Sequence, residues 1–355
     1  MSARFKYIDL YKTLRKDIIE GRYRFQEKMP SKRLLASSMG LSILTVEHSY
    51  ALLLEEGYIE GRERSGYYVS YRDGLLFPVE EQEEELLLRA PFQSEDKEEM
   101  SYSVIAKTVR KVLSKYGEEI VSPSESRGKY FLRKALKDYL RRARGIFVEE
   151  EQILIGAGAE QLYALLVQIL GREGSFAVEF PSYEKMQKIY RANGIRLEFL
   201  EMGKNGIHST ALSTAKSKVL HVTPFHSFPT GITATASKRK EYLDYAKRNQ
   251  AFIIEDDYDS EFSALGKPED SLFSMDERDS VYYLNSFSKT IGPAFRMAYL
   301  LLPAKRMEED FKKISFYSCS VPVLEQCILT ELLQSGEFER HINRIKRRRR
   351  NRVEE

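Results

Sequence analysis

One block of like charge constrains this 355-residue chain more than any other feature: Glu80, Glu81, Glu83, Glu84 and Glu85 stand almost consecutively. Carboxylates that close repel one another and cannot share a core, so such a run reads as a solvated spacer. Each side of it must then bury a core of its own. Up to about Tyr71 the text consists of short apolar periodic segments broken by Gly and Pro, whereas beyond Ser101 helical patterns alternate with apolar runs. These shifts predict a domain over residues 1–71, an acidic linker over 72–100 and a larger domain over 101–355. Within the linker only Leu86-Leu87-Leu88 offers an apolar docking point.

No run of about eighteen apolar residues could span a bilayer, and no apolar segment follows the basic start as an export signal would. The expectation is a soluble, cytoplasmic protein. Cys319 and Cys327 stand in no CxxC or histidine-bearing pattern, so they read as reduced packing residues, and no metal site is expected. A net charge of +3 makes no case for nucleic acid by itself; that case depends on where the charges sit.

Near the start, Tyr11, Leu14 and Ile18 share one face of a helix that Gly21 can end. Pro30-Ser31 then opens a second helix carrying Leu34, Leu35 and Met39, which Gly40 stops. Ser42 is a plausible N-cap for a third, with Val46, Tyr50 and Leu53 facing inward and Gly57 closing it. Tyr58–Glu60 and Tyr67–Val69 read as two strands around Gly61-Arg62-Glu63-Arg64-Ser65-Gly66. This order is a helix-turn-helix with a two-stranded wing. A helix entering a major groove needs short polar side chains at its N-terminal end, and a basic wing tip suits phosphates. Arg33, Ser42, Thr45, Arg62, Arg64 and Gly66 are placed for that use.

In the large domain, a helical pattern over Phe131–Arg142 and the apolar runs Ile153–Ile155, Ser175–Phe180, Lys218–Val222, Ala251–Glu255, Val281–Leu284 and Ala298–Leu302 predict a mainly parallel, helix-covered sheet. After the fifth run come Ser286-Phe287-Ser288-Lys289-Thr290 and then Arg296. A lysine there can form a Schiff base with an aldehyde cofactor, with hydroxyls and a guanidinium for a phosphate. Ile254-Glu255-Asp256-Asp257-Tyr258 offers a carboxylate for a ring nitrogen and a hydroxyl for a ring oxygen. Gly156-Ala157-Gly158-Ala159-Glu160-Gln161 offers backbone amides at a helix start. Taken singly, these are equally a surface lysine, a solvated acidic turn and a tight strand-to-helix connection.

The N-terminal order resembles the GntR-type winged helix, whose PSxRxLA, S-x-x-TV and GSGxxV segments appear here as Pro30–Ala36, Ser42–Val46 and Arg64–Val69. With fold-type I aminotransferase motifs behind it, the whole chain resembles a MocR-type regulator. The resemblance implies a multidomain α/β protein: a small winged helix-turn-helix and a large three-layer domain like the pyridoxal-phosphate-dependent transferases. It implies pyridoxal 5'-phosphate on Lys289, with Asp256 at the pyridine nitrogen and Tyr258 at the ring oxygen. Tyr183 would stack on the ring. Ser286, Ser288, Arg296 and the amides of Ala159 and Glu160 would hold the phosphate. Thr223–Gly231 matches the family's TPxHxFPTG loop, in which His226 is either a polar contact or a packing residue. Double-stranded DNA, an amino acid or amine effector and a homodimer are the implied partners.

Three departures stand out. The family's arginine after the capping serine is Ile43 here. The Tyr-x-Asp-Pro-x-Gly type of segment appears only as Val121–Gly128. The family continues beyond the point where this sequence stops, into a small subdomain bearing an arginine for a carboxylate, so an incomplete subdomain is expected, with Lys346–Arg352 as the helix leading to it. Lys185 reads as a solvated helix lysine or as a weaker carboxylate contact. A regulator sensing through Lys289, a working aminotransferase and a regulator that has lost its cofactor all remain open at this stage.

Overall fold

The computed structural model describes residues 3–62, 65–71, 99–262 and 270–353. The chain divides by its contacts into two compact units at Gln93/Ser94. Arg64 and linker residues 72–98 lie outside the described residues.

In the first unit, helices α1 (Ala3–Ile19), α2 (Lys32–Met39) and α3 (Ile43–Glu55) precede strands β1 (Ile59–Arg62) and β2 (Gly66–Val69). The strands pair antiparallel, Ile59 opposite Val69 and Arg62 opposite Gly66. Ser31 Oγ accepts the Leu34 N–H to start α2, and Gly40 at φ 62° ends it, a conformation glycine adopts without strain. Leu14, Ile18, Leu35, Val46, Tyr50 and Leu53 form the core, and the Tyr50 hydroxyl donates to the Pro30 carbonyl at 2.7 Å. Leu34 and Met39 remain exposed because α2 turns Leu35 and Ala36 inward instead.

The second unit is built on an eight-stranded sheet in the order β3-β10-β9-β8-β7-β4-β5-β6. Its strands are β3 (Ile153–Gly156), β4 (Ser175–Phe180), β5 (Arg196–Gly203), β6 (Gly206–Ile207), β7 (Val219–Val222), β8 (Phe252–Asp256), β9 (Val281–Ser286) and β10 (Ala298–Leu301). From β9 through β5 all pairings are parallel. β10 lies antiparallel between β3 and β9, and β6 antiparallel to β5. All six apolar runs became strands. β5 was not among them because Arg196, Glu198 and Glu201 interrupt its apolar residues toward the edge of the sheet.

Helices cover both faces, since successive strand residues point to opposite sides. Ile153, Ile155, Tyr283 and Tyr299 pack with α4 (Tyr102–Tyr116), α5 (Tyr130–Tyr139), α9 (Val323–Gln334) and α10 (Glu337–Val353). Leu154, Phe176, Val178 and Leu284 pack with α6 (Ala159–Leu170) and α7 (Glu184–Ala192), while Ile253 and Leu220 meet α8 (Ala236–Asn249). The arginine-rich terminal run lies within α10, which buries Phe338, Ile342 and Ile345 and turns Arg344, Arg347 and Arg348 outward. Phe338 meets Tyr139 and Phe287 edge-on, ring centroids 5.3 and 5.7 Å away. Both cysteines are free, Cys327 buried within α9. No helix among the described residues is long and apolar enough to cross a membrane.

Two predictions test this packing. Phe338→Ala leaves a cavity between α5, α10 and the Ser286–Lys289 turn and is expected to cost about 3–5 kcal/mol in chemical denaturation of the full chain. Buried Glu179, at the end of β4, has its carboxyl raised from the ordinary 4.5 to about 8 by burial, which hydrogen bonds from Ser227 and the Thr223 backbone only partly offset. The folded state therefore binds the extra proton, and stability falls as pH rises from 4.5 through about 8. Denaturation midpoints for Glu179→Gln across that window should show a flatter decline than for the unaltered chain.

Candidate functional site

The carboxyl ends of parallel strands leave a crevice where connections diverge, and side chains following those ends converge there. In the second unit, Tyr183 follows β4, Thr223 follows β7, Asp256 closes β8 with Tyr258 just beyond, and Ser286 closes β9 with Ser288 just beyond. The antiparallel β10 starts at the same end, which brings in Arg296, and α6 begins there at Ala159. Together these residues line one cavity of about 310 Å³, with Glu160, Tyr163 and Phe228, at the lower end of the size range for small-molecule sites.

At its floor Asp256 is buried and accepts the Tyr163 hydroxyl on Oδ2. His221 Nε2 lies 3.6 Å from the same oxygen, while its Nδ1 is 2.7 Å from the Tyr190 hydroxyl. Burial, with the charge of Asp256 added, raises the Tyr163 and Tyr190 phenols well above their ordinary value. Both stay protonated, so Tyr163 acts as a fixed donor and Asp256 as the acceptor. Tyr183 and Phe228 meet edge-on at the mouth, ring centroids 6.1 Å apart.

The opposite end is rich in donors. The α6 amides open toward it behind Gly158, whose φ is 84°. A Cβ on Gly158 would lie 3.1 Å from Arg296 Nη2, so the guanidinium rests close over the glycine and would have to give way to a side chain there. Arg296 also pairs with Glu160 at 3.3 Å, and Lys185 reaches the other oxygen of Glu160 at 2.8 Å. The Lys185 hydrogen bond, ahead of smaller contributions from Lys185 and Arg296 charge, holds Glu160 below its ordinary value. Lys185 is thus an exposed helix lysine that pairs with Glu160 and does not line the cavity. Amides, two serines and an arginine around one end are the donor set of an oxyanion site.

Lys289 stands beside this cavity, its Nζ 4.9 Å from the Tyr258 ring centroid and 2.7 Å from Asp259 Oδ1. His226 Nδ1 and Arg349 of α10 approach the same carboxylate at 3.3 and 3.6 Å. Burial raises Asp259, but hydrogen bonds from His226 and Lys289 and the charges of Lys289 and Arg349 outweigh it and hold the group below its ordinary value. Tyr258 donates to the His226 carbonyl at 2.7 Å, and burial followed by the charges of Asp259 and Asp256 pushes its phenol up to about 12. Of the ten residues expected here, eight line the cavity, and Lys289 and His226 join through Tyr258 and Asp259. Sequence reasoning missed Tyr163, Asp259 and His221. Tyr163 had a signal, standing one helical turn after Ala159.

In the first unit, Arg33 is exposed on α2. Ser42 caps α3, its Oγ accepting the Thr45 N–H at 3.1 Å and standing 2.8 Å from Thr45 Oγ1. Arg62 donates to Glu60 and Gln26 and lies 4.3 Å over the Tyr68 ring. Gly66 opens β2 at φ 108°.

Residues 97–355 match the family Aminotransferase class I and II, and residues 6–69 match Bacterial regulatory proteins, gntR family. The chain is 33% identical over 351 residues to the uncharacterized HTH-type transcriptional regulator YdeL of Bacillus subtilis (strain 168), covering 96% of this chain and 76% of that one. It is 26% identical over 363 residues to the probable rhizopine catabolism regulatory protein MocR of Rhizobium meliloti, covering 95% and 73%. Among solved structures, LysN, the α-aminoadipate aminotransferase of Thermus thermophilus complexed with N-(5'-phosphopyridoxyl)-L-leucine, matches with TM-score 0.62 and 25% identity over 69% of this chain. This chain spans 63% of that structure's length. It belongs to the MocR-type HTH transcriptional regulators, in which a gntR-family helix-turn-helix is joined to an aminotransferase class I and II domain.

Proposed function

We propose that this chain is a cytoplasmic, homodimeric regulator that reads double-stranded DNA through residues 1–71 and senses an amino acid or amine through pyridoxal phosphate held in residues 101–355, the two joined by the acidic segment 72–100. The observation carrying the sensing half is the convergence of Asp256, Tyr258, Ser286, Ser288 and Arg296 on one cavity with Lys289 at its edge. The residues fit the cofactor: an acceptor stands at the floor, an oxyanion cradle at the far end and an aromatic ring at the mouth. The phosphopyridoxyl-leucine in the Thermus enzyme is a cofactor–amino acid adduct, the ligand class expected here.

Pyridoxal phosphate, when bound, supplies an aldehyde that exchanges between a lysine and an incoming primary amine. Ser286, Ser288, Arg296 and the amides of Ala159 and Glu160 would hold its phosphate. Asp256, oriented by Tyr163 and His221, would face the ring nitrogen, Tyr258 the ring oxygen and Tyr183 the ring face, with His226 supporting Tyr258 through its carbonyl. Asp259 Oδ1 pairs with the Lys289 amine at 2.7 Å, so that contact must be released before the amine can act as a nucleophile. For DNA affinity to respond, the effector must bind one conformation of the protein better than another. On the DNA side, Arg33, Arg62 and Arg64 would contact phosphates, and Ser42, Thr45 and Gly66 would set the approach of α3 and the wing.

Full-length protein titrated with pyridoxal phosphate should develop a visible absorbance band, and borohydride should fix the label on Lys289 by mass spectrometry. Lys289→Ala should lose both while still binding DNA in the absence of effector. A label on another residue, or none, would sink the sensing half. Sustained turnover of amino acid with a 2-oxo acid would favour an aminotransferase instead.

A further inference from the structure

The first two residues of α3, Ile43 and Leu44, are exposed and aliphatic at the end where a helix entering a groove meets base edges. Val46, Ser49, Tyr50 and Leu53 turn inward, which leaves Leu44, Glu47, His48 and Ala51 outward, with Ile43 at the first helical position. Ile43 is 49% and Leu44 61% exposed, far more than side chains that only fill a core. Three polar side chains beside them are engaged: Ser42 and Thr45 bond each other, and Glu47 pairs with Lys32 at 2.7 Å. α3 contains no lysine or arginine, so it cannot grip guanine O6 and N7 with a guanidinium.

The cations stand on neighbouring elements, with Lys32 of α2 paired to Glu47 of α3 and Lys28 and Arg62 against the wing. Lys32 lies 5.4 Å over the Tyr67 ring, and Lys28 and Arg62 lie 5.9 and 4.3 Å over the Tyr68 ring. Positive charge on α2 and the wing, with an aliphatic start to α3, complements a groove whose walls are phosphates and whose floor carries an apolar group. In the major groove that group is the thymine C5-methyl.

We propose that Ile43 and Leu44 read thymine methyl groups, so that this chain selects T where a reader with arginine after the capping serine would select G. The proposal rests on the DNA-reading assignment made above. Both side chains are exposed, so exchanging them leaves the core of the unit intact.

The test selects duplexes from a random-sequence pool with the full-length protein, then replaces each thymine of the selected sequence by deoxyuridine, which removes only the methyl. At least one replacement per half-site should weaken binding about fourfold, the worth of one buried methyl. An Ile43→Ala, Leu44→Ala double variant should bind the thymine and uracil duplexes equally and keep the salt dependence of the unaltered protein, because the phosphate contacts remain. Ile43→Arg should shift the selected base toward G. A selected sequence bound equally well with either base, or discrimination kept by the double variant, would overturn the proposal while leaving DNA reading intact. Failure to select any sequence would remove the DNA-reading assignment and the proposal with it. A double variant that alters self-association but not methyl discrimination would make this face a contact between copies of the chain and overturn the proposal.

Discussion

Three consecutive carboxylates, Glu255, Asp256 and Asp257, are buried at the end of β8, and the large unit is arranged around that constraint. Like charges so close in a low-dielectric interior are costly unless each finds its own partner. Strand alternation supplies the solution by sending Glu255 and Asp257 to one face and Asp256 to the other. Glu255 accepts the Leu272 and Phe273 amides at 2.9 Å each, and burial, with the charge of Asp257, raises its carboxyl to about 8. Asp257 takes the buried Arg144 guanidinium and the Tyr283 hydroxyl. Asp256 alone faces the cavity, where Tyr163 meets it.

From that strand end the chain carries on to Asp259, the carboxylate that gathers Lys289, His226 and Arg349. Arg349 also lies 4.7 Å over the Phe262 ring. Because α10 is held by Phe338, Ile342 and Ile345 in the same core as Phe287, the position of that helix and the setting of Lys289 are mechanically joined. In the small unit the division of labour is simpler. Its hydroxyls hold the backbone of α3 in place, and its exposed aliphatics are left to face outward.

Much of this was legible in the residues. Short apolar runs predicted six of the eight strands because a strand buried on both faces must be apolar throughout, and β5, next to the short edge strand β6, escaped because its charged residues break that pattern. Ser286, Ser288 and Lys289, like Asp256 and Tyr258, stood out because each lies at or just beyond a strand end, and that rule says where side chains project. Tyr163 and Asp256 lie 93 residues apart, and no local pattern announces that one will donate to the other. Tyr190 and His221 were silent for the same reason. Leu34 and Met39, apolar by type, turned outward because an eight-residue helix has room for only a narrow buried stripe.

The sequence by itself determined the two-unit organisation, the alternation of strand and helix, and which residue types stand at the strand ends, because charge repulsion and hydrophobic periodicity act locally along the chain. Tertiary structure alone decided which of three neighbouring acids faces the cavity, that Lys289 rests on Asp259, and that the arginine-rich end docks against the core. Those outcomes depend on which surfaces the sheet brings together, and burial charges each unpaired group with a desolvation cost that only a partner from elsewhere in the chain removes.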